Sequence, residues 1–501
     1  MTGVSHTVTG VRIVSYSGPI ENIVVVMLEN RSYDNVLGFL YGPGNAAPYI
    51  NPPSGQAGLL GLNNGGPYSN VDPKTNKSIP VWGVPGDAGT IPAIDPGEEF
   101  DEMAQQILGL SAPEPLSNPY AKALGPLGAM GGFVANYERV AGASPPDVMH
   151  AFVPATLSTS AYLAHTFMVC DQWFASAPTQ TFANRMFSLA ASPGVGALEG
   201  GYLDDTQYMP HWLLGGVNIE PNLLSRLDAV KGWHAGQPPT WKIYFQDYSI
   251  AAKLLSYARA QFESDTNVNI ANFDWQDYPP GNKSYTNPLK HPTSTFQEDL
   301  SAHTLPPFSL IEPRYTDNAP HAVYGLPPNS NHPGIGNYPF QSQKNTNPTD
   351  TYWGEFLLYD IYLMLRLSKY YWPRTLLIIT YDEHGGLYDH IRPPKATPPG
   401  ATVPPATGGF GWNYFGGRVP TIIVSSAAPP SSRLIVPSGK APFDHTSIIA
   451  TAWECFGLAA GGTSSLNARD GAATSILGQL NAEPGNDPDP ELAVKPVSLP
   501  S

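Results

Sequence analysis

The sequence predicts an α/β protein in which helices flank a mostly parallel central sheet. Three short, continuous apolar runs, at 22–28, 375–381 and 419–426, have the length and composition of strands that are buried on both faces. A long helical pattern at 351–371 leads directly into the second run. This order of helix and strand is typical of units that pack onto a parallel sheet.

Weaker patterns fill in the remaining elements. Apolar runs at 240–245 and 307–313 are further strand candidates. Apolar residues recur with helical spacing at 98–109, 159–169, 184–192 and 446–458. Helices and strands therefore alternate along most of the chain, as this fold class requires.

The chain is expected to form one large domain over residues 1–480. Stretches rich in Gly, Pro and Asn at about 41–95, 192–350 and 392–417 also carry aromatic residues, so we interpret them as ordered insertions that cap one face of the sheet. The segment 481–501 is rich in Pro and acidic residues, and we expect a tail that lies along the surface or is loose.

Composition limits the classes of partner. The formal net charge of −15 argues against nucleic acid and against non-specific binding to anionic lipid.

Cys170 and Cys455 lie in apolar surroundings, which favours buried, reduced thiols over a disulfide. No apolar run approaches the ~18 residues of a transmembrane segment. The first 18 residues lack the basic and apolar regions of a conventional signal peptide, so we expect a soluble protein, either cytoplasmic or exported by a non-classical route.

Polar side chains follow two of the predicted strands directly. Glu29 and Asn30 follow the first strand, and Asp382 and Glu383 follow the second. Ligands of open α/β sheets bind beyond the carboxyl ends of the strands, and carboxylates gathered there repel one another unless a cation lies between them. Any one of these acids alone could be a helix cap or a solvated loop residue. The pair of clusters favours a hard divalent ion bound by oxygen ligands.

Thr181 is the candidate nucleophile. It precedes the helical pattern that begins near Asn184, where a threonine is by default an N-cap. The same position directs a hydroxyl toward a helix N-terminus, which favours bound phosphate. A threonine hydroxyl is a poor nucleophile unless a metal or a base removes its proton.

Four segments resemble the signature motifs of a known family. The segments "ENRSYDNVLG", "TFANR", "DEHGGLYDH" and "FDHTSI" occur in the order found in the phosphoesterase family of non-haemolytic phospholipases C, plant non-specific phospholipases C and bacterial acid phosphatases. The similarity spans roughly residues 23–458.

The resemblance implies an alkaline phosphatase-like core, a site and a reaction. It implies that Glu29, Asn30, Asp382 and Glu383 surround a divalent metal ion of uncertain identity. It also implies that the Thr181 hydroxyl attacks a phosphate ester and forms a phospho-threonine intermediate. The substrate would be either a phospholipid, with transient membrane contact, or a soluble phosphomonoester. Aromatic residues of the insertions could then line the cleft and hold a choline-like head group: Trp82, Tyr202, Trp212, Trp233, Trp412 and Tyr414.

Four histidines and one arginine complete the candidate set. His332 and His445 could act as acids or as donors to phosphate oxygens, and a position outside the site is equally open for both. For His384 and His390 we favour a role in ordering the acidic loop. Arg185 could reach a phosphate or pair with a nearby acid.

The chain departs from the family pattern at one position that bears on the site. Glu98 stands where the family often has a histidine. Glu98 either adds to a metal site or starts a helix with a favourable charge, and we favour the second. Ala183 and Asn35 replace a common Pro and His without removing a proposed ligand. The alternative to an enzyme is a catalytically silent member of the family that serves as a binding or structural module.

Overall fold

The computed structural model describes residues 18–41, 59–62, 66–111, 118–121, 130–142, 145–194, 201–229, 240–263, 269–273, 294–316, 327–334, 349–458 and 465–489. The strands are β1 Asn22–Leu28, β2 Ser69–Asp72, β3 Lys77–Pro80, β4 Met168–Cys170, β5 Trp173–Phe174, β6 Trp241–Phe245, β7 Ile270–Asn272, β8 Phe308–Glu312, β9 Thr375–Tyr381, β10 Thr421–Val424, β11 Ser432–Arg433 and β12 Phe443–Asp444. The helices are α1 Tyr33–Leu37, α2 Phe100–Leu108, α3 Phe133–Ala141, α4 Ser158–Thr166, α5 Thr181–Ala190, α6 Asp205–Leu214, α7 Leu223–Ala229, α8 Ile250–Leu254, α9 Ser256–Phe262, α10 Phe296–Ala302, α11 Thr351–Leu367, α12 Thr446–Phe456 and α13 Ala468–Ala472.

An eight-stranded sheet runs through the molecule in the order β11-β4-β10-β9-β1-β8-β6-β7. Strands β9, β1, β8, β6 and β7 are parallel neighbours. Every residue of β1 and β9 is buried, because helices and loops cover both faces of the sheet. The predicted α/β class with a mostly parallel sheet is confirmed.

Two details of the prediction were wrong. The run at 419–426 forms β10, which is antiparallel to β9. The helical pattern at 159–169 ends earlier, and its last residues form the start of β4. The strands predicted at 240–245 and 307–313 are confirmed as β6 and β8, and both pair within the central sheet, so the stretch 192–350 contributes to the core as well.

Two expectations about composition can be compared with the structure. Both cysteines are free; Cys170 is buried and Cys455 is partly exposed. Among the described helices, none is both long enough and apolar enough to cross a membrane.

The described part of the acidic tail, 481–489, is held to the body of the protein by an ion pair of 2.6 Å between Arg366 and Asp487.

Candidate active site

The site begins where β1 and β9 end side by side. Leu28 lies opposite Tyr381 in the parallel register, so Glu29 and Asp382 leave the sheet at the same level. The backbone N–H of Asn30 donates to Asp382 Oδ1 at 3.0 Å. Asn30 has a φ of +56°, a left-handed conformation that Asn tolerates better than most residues. The turn at Asn30 therefore brings the two predicted acidic clusters into one place.

A tight loop holds Glu383 against this turn. The N–H of Gly385 donates to Glu383 Oε2 at 2.6 Å. Gly385 has a φ of +64°, and a Cβ added to it would lie 1.9 Å from the carbonyl oxygen of Asn30. Only glycine satisfies both the conformation and the close approach, which accounts for the first glycine of the DEHGG segment.

Thr181 is the first residue of α5 and faces the end of β1. Its Oγ donates to Asn30 Oδ1 at 3.3 Å. The Asn184 side chain fixes the preceding loop, because its Oδ1 accepts from the Ala177 N–H at 2.9 Å and its Nδ2 donates to the Thr179 carbonyl at 2.8 Å. The helix begins at Thr181 rather than near Asn184, and its N-cap is Gln180. Thr181 is therefore not the N-cap, and its hydroxyl faces the acidic cluster.

Arg185 pairs with the acids at the strand ends. Its Nε donates to Asp382 Oδ2 at 3.0 Å, and its Nη1 lies 3.8 Å from Glu312 Oε1. Its Nη2 donates to the carbonyl oxygen of Met27 at 3.3 Å. Burial disfavours its charge, but Tyr315, Asp382 and other nearby groups outweigh that effect and raise the pKa of Arg185. Of the two roles open for Arg185, the structure has it paired with local acids.

His445 contacts the backbone of Asp382. Its Nε2 donates to the backbone carbonyl of Asp382 at 2.6 Å, and its Nδ1 accepts from the indole N–H of Trp173 at 3.3 Å. Burial lowers the pKa of His445, so the ring is held neutral. In this position His445 holds the Asp382 backbone.

The other two histidines of the motifs have different surroundings. The His384 Nε2 donates to Gln106 Oε1 at 3.0 Å, and its Nδ1 lies 3.7 Å from Glu383 Oε2. Burial lowers the pKa of His384 to about 3, so this neutral ring orders the acidic loop. His390 instead contacts Asp34 at 2.6 Å, in a separate group of charges with Arg418.

Glu98 faces the site, contrary to the role we favoured for it. Its Oε1 accepts from Asn30 Nδ2 at 2.8 Å. The N-cap of α2 is Glu99, which forms a capping box with Glu102. Because Glu99 caps the helix, Glu98 is left to contact the end of β1. His332 lies beyond it, with its Nε2 3.9 Å from Glu98 Oε2.

The gathered carboxylates carry more negative charge than the surrounding cations balance. Burial, followed by the charge of Asp95, raises the pKa of Glu98 well above its usual value. Burial and then Asp382 do the same for Glu383. The Glu383 Oε1 is buried and has no hydrogen-bond partner among the described residues. Such an oxygen-rich, under-neutralised donor set fits a divalent cation.

Two adjacent acids near Thr181 were missed by the sequence analysis. Asp205 Oδ1 accepts from the N–H of Phe182 at 2.9 Å, and Asp204 Oδ1 accepts from the N–H of Phe100 at 2.9 Å. This Asp-Asp pair therefore connects the first turns of α5 and α2. Its only signal in the sequence is a pair of aspartates in a loop, which does not distinguish it from an ordinary helix start.

The aromatic residues of the insertions are packed inside the protein. Trp212 stacks on Phe182 at a ring distance of 5.3 Å, and Trp412 packs against Phe187 at 6.1 Å. Tyr202 and Tyr414 are also buried, and Trp233 lies outside the described residues. Trp212 and Trp412 thus pack against α5, the helix that begins at Thr181. The expectation that the aromatic residues line the cleft stays a prediction.

Comparisons with known proteins find similarity over most of the chain. A family model described as the Phosphoesterase family matches residues 20–459. The chain is 30% identical to non-specific phospholipase C1 of Arabidopsis thaliana over 88% of this chain and 68% of that protein. It is 26% identical to phospholipase C A of Mycobacterium tuberculosis over 95% of this chain and 80% of that protein. A solved structure from the alkaline phosphatase superfamily of Vibrio parahaemolyticus is 11% identical over 64% of this chain and 65% of that chain, with a TM-score of 0.29. That last likeness is too low to carry an argument.

Proposed function

The chain belongs to the Phosphoesterase family, and from this premise we propose that it is a metal-dependent phosphoester hydrolase with Thr181 as its nucleophile. The observation that carries the proposal is the hydrogen bond of 3.3 Å from Thr181 Oγ to Asn30 Oδ1, at the sheet edge where the acids gather. The names of the relatives, which are phospholipases C, support the reaction class.

Glu29, Asn30, Asp382 and Glu383 would hold the ion. When bound, a divalent ion lowers the pKa of a nearby hydroxyl and offsets charge on the phosphoryl oxygens. Arg185 keeps Asp382 in place, and the left-handed turn at Asn30 keeps the amide oxygen close to Thr181. The protein would thereby place the Thr181 hydroxyl and the bound ion at the same phosphate group.

In the proposed reaction, Thr181 Oγ forms a bond to phosphorus while the bond from phosphorus to the alcohol oxygen of the substrate breaks. The hydroxyl proton is lost, and the departing alcohol takes up a proton. The N-terminus of α5 stabilises the negative phosphoryl group on Thr181. Water then attacks phosphorus, which restores the Thr181 hydroxyl and releases the phosphate product.

We propose phospholipid as the substrate class, cut on the glycerol side of the phosphate, because the relatives reported above are named phospholipases C. A soluble phosphomonoester is the competing class within the same reaction. A silent member of the family would hydrolyse neither.

The test is a paired assay on the purified protein with phosphatidylcholine and p-nitrophenyl phosphate, before and after treatment with a chelator. We expect hydrolysis of phosphatidylcholine, its loss with the chelator and its recovery when Mn²⁺ or Zn²⁺ is added back. Hydrolysis of p-nitrophenyl phosphate alone would overturn the substrate class. Turnover that the chelator leaves unchanged would overturn the metal dependence.

A further inference from the structure

Three potential metal ligands lie together next to Asn30, whose Nδ2 donates to Glu98. Asp95, Glu98 and His332 each offer a ligand atom, and these atoms all lie within 4.8 Å of one another. The His332 Nδ1 is 3.8 Å from Asp95 Oδ1, and the His332 Nε2 is 3.9 Å from Glu98 Oε2. Both separations exceed hydrogen-bond length, and the gap between His332 Nε2 and Glu98 Oε2 could hold a cation.

The backbone sets the orientation of the imidazole. The His332 Nδ1 lies 2.8 Å from the carbonyl oxygen of Pro333, which can only accept. The proton of a neutral ring is therefore on Nδ1, and the lone pair on Nε2 faces Glu98. A backbone carbonyl that orients an imidazole in this way is a common feature of histidine metal ligands.

Asp95 provides an independent indication of a ligand. Its Oδ1 atom is buried and has no hydrogen-bond partner among the described residues. A buried, unsatisfied carboxylate oxygen within this group costs free energy unless a positive ion compensates it.

We propose that Asp95, Glu98 and His332 bind a second divalent transition-metal ion next to the ion assigned to Glu29, Asn30, Asp382 and Glu383. This inference rests on the proposed function, because it extends the same acidic site. One imidazole with carboxylates favours Zn²⁺, Mn²⁺ or Fe²⁺ over Ca²⁺. Asp95 and Glu98 supply the negative charge that a second cation requires.

A protonated His332 is the competing source of positive charge. Burial lowers its pKa, whereas Asp95 and Glu29 raise it, and the net shift is upward. The imidazolium could therefore neutralise the group without a metal. The number of ions bound per chain distinguishes the two states.

The experiment measures that number by elemental mass spectrometry, after the full chain has been stripped with a chelator and dialysed against Zn²⁺ or Mn²⁺. We expect two ions in the wild-type protein and one ion in Glu98→Gln and in His332→Asn. The control Asp101→Asn removes a charge from the first turn of the same helix and should keep two. Melting curves of the stripped proteins show whether each variant is folded.

Each result has a distinct meaning. One ion in the wild-type protein and in Glu98→Gln overturns the second site and leaves the proposed function intact. No bound ion overturns the metal dependence itself. Two ions retained in either folded variant would place the second ion elsewhere and overturn the assignment to these residues.

Discussion

Thr181, the proposed nucleophile, is held in place by its neighbours. The residue is only 6% exposed, its hydroxyl donates to Asn30, and Asn184 fixes the loop before it. Sequence spacing does not predict the contact with Asn30, since the two residues are 151 positions apart in the chain. The hydroxyl is thus placed by hydrogen bonds that the fold alone creates.

We expect Thr181→Ala to reduce phosphoester hydrolysis by more than tenfold, which corresponds to more than ~1.4 kcal/mol of transition-state stabilisation. The variant should keep the wild-type melting temperature within a few degrees. Thr181→Ser is the matched control, because it retains a hydroxyl and should retain measurable turnover. An alanine variant with more than about a tenth of wild-type turnover would assign the nucleophile elsewhere.

At the residue scale, the motifs predicted that the acids after β1 and β9 lie together. They did not predict that Glu98 contacts Asn30. Glu98 and Glu99 are identical and adjacent, so the sequence does not tell which one caps α2. The choice depends on Asn30, whose side chain donates to Glu98 across 68 positions of the chain, so no local sequence pattern identifies the contact.

At the scale of elements, the sequence predicted the buried strands well and their directions less well. The bounds of β1 and β9 match the apolar runs, because a continuous apolar run is a local property. The antiparallel direction of β10 could not be predicted, since the same apolar run suits either direction. The prediction assigned the first residues of β4 to a helix, because a strand of only three residues gives no pattern of its own.

The loop after β9 depends on a glycine, and a substitution tests this. We expect Gly385→Ala to lower the melting temperature and abolish activity, because its Cβ would lie 1.9 Å from the carbonyl oxygen of Asn30. Gly439→Ala is the control: Gly439 also has a positive φ, of +75°, but no atom lies within 4 Å of the added Cβ. The control should lose only about 1 kcal/mol of stability. Equal losses in the two variants would show that the close approach is unimportant.

The N-terminus of α4 depends on a buried acid, Glu355. Its Oε2 accepts from the N–H groups of Thr159 and Ser160 at 2.7 and 2.9 Å. Burial raises the pKa of Glu355 from 4.5 to about 7, although the hydrogen bonds from Ser160 oppose the shift. The folded protein therefore holds this proton at a pH where the unfolded chain has released it, and stability falls as pH rises from about 4.5 to 7.

We expect this decrease to disappear in Glu355→Gln, which can accept the same N–H groups and carries no charge. Between pH 4.5 and 8 the wild-type protein should lose about 3 kcal/mol more unfolding free energy than the variant, measured by urea denaturation. Glu454→Gln, on the exposed face of α12, controls for loss of a charge. A variant that follows the wild-type pH dependence would contradict the assignment.

At the scale of the whole molecule, the protein is acidic both at the site and in its net charge. The site gathers buried carboxylates that fit a divalent cation, and the chain as a whole carries a formal charge of −15. A protein of this charge is repelled by an anionic membrane and is not repelled by a zwitterionic one. If the substrate is a phospholipid, surface charge should therefore control access to it.

We expect hydrolysis of phosphatidylcholine vesicles to fall by about tenfold at low salt when a third of the lipid is replaced by phosphatidylserine, because repulsion slows encounter. The loss should shrink as salt is raised, since the screening length decreases from about 10 Å at 0.1 M to about 3 Å at 1 M. Turnover of a soluble short-chain phosphatidylcholine in the same buffers controls for direct effects of salt on the site. Faster hydrolysis of the anionic vesicles would contradict repulsion by the net charge, and it would point to local basic residues as the surface that meets the lipid.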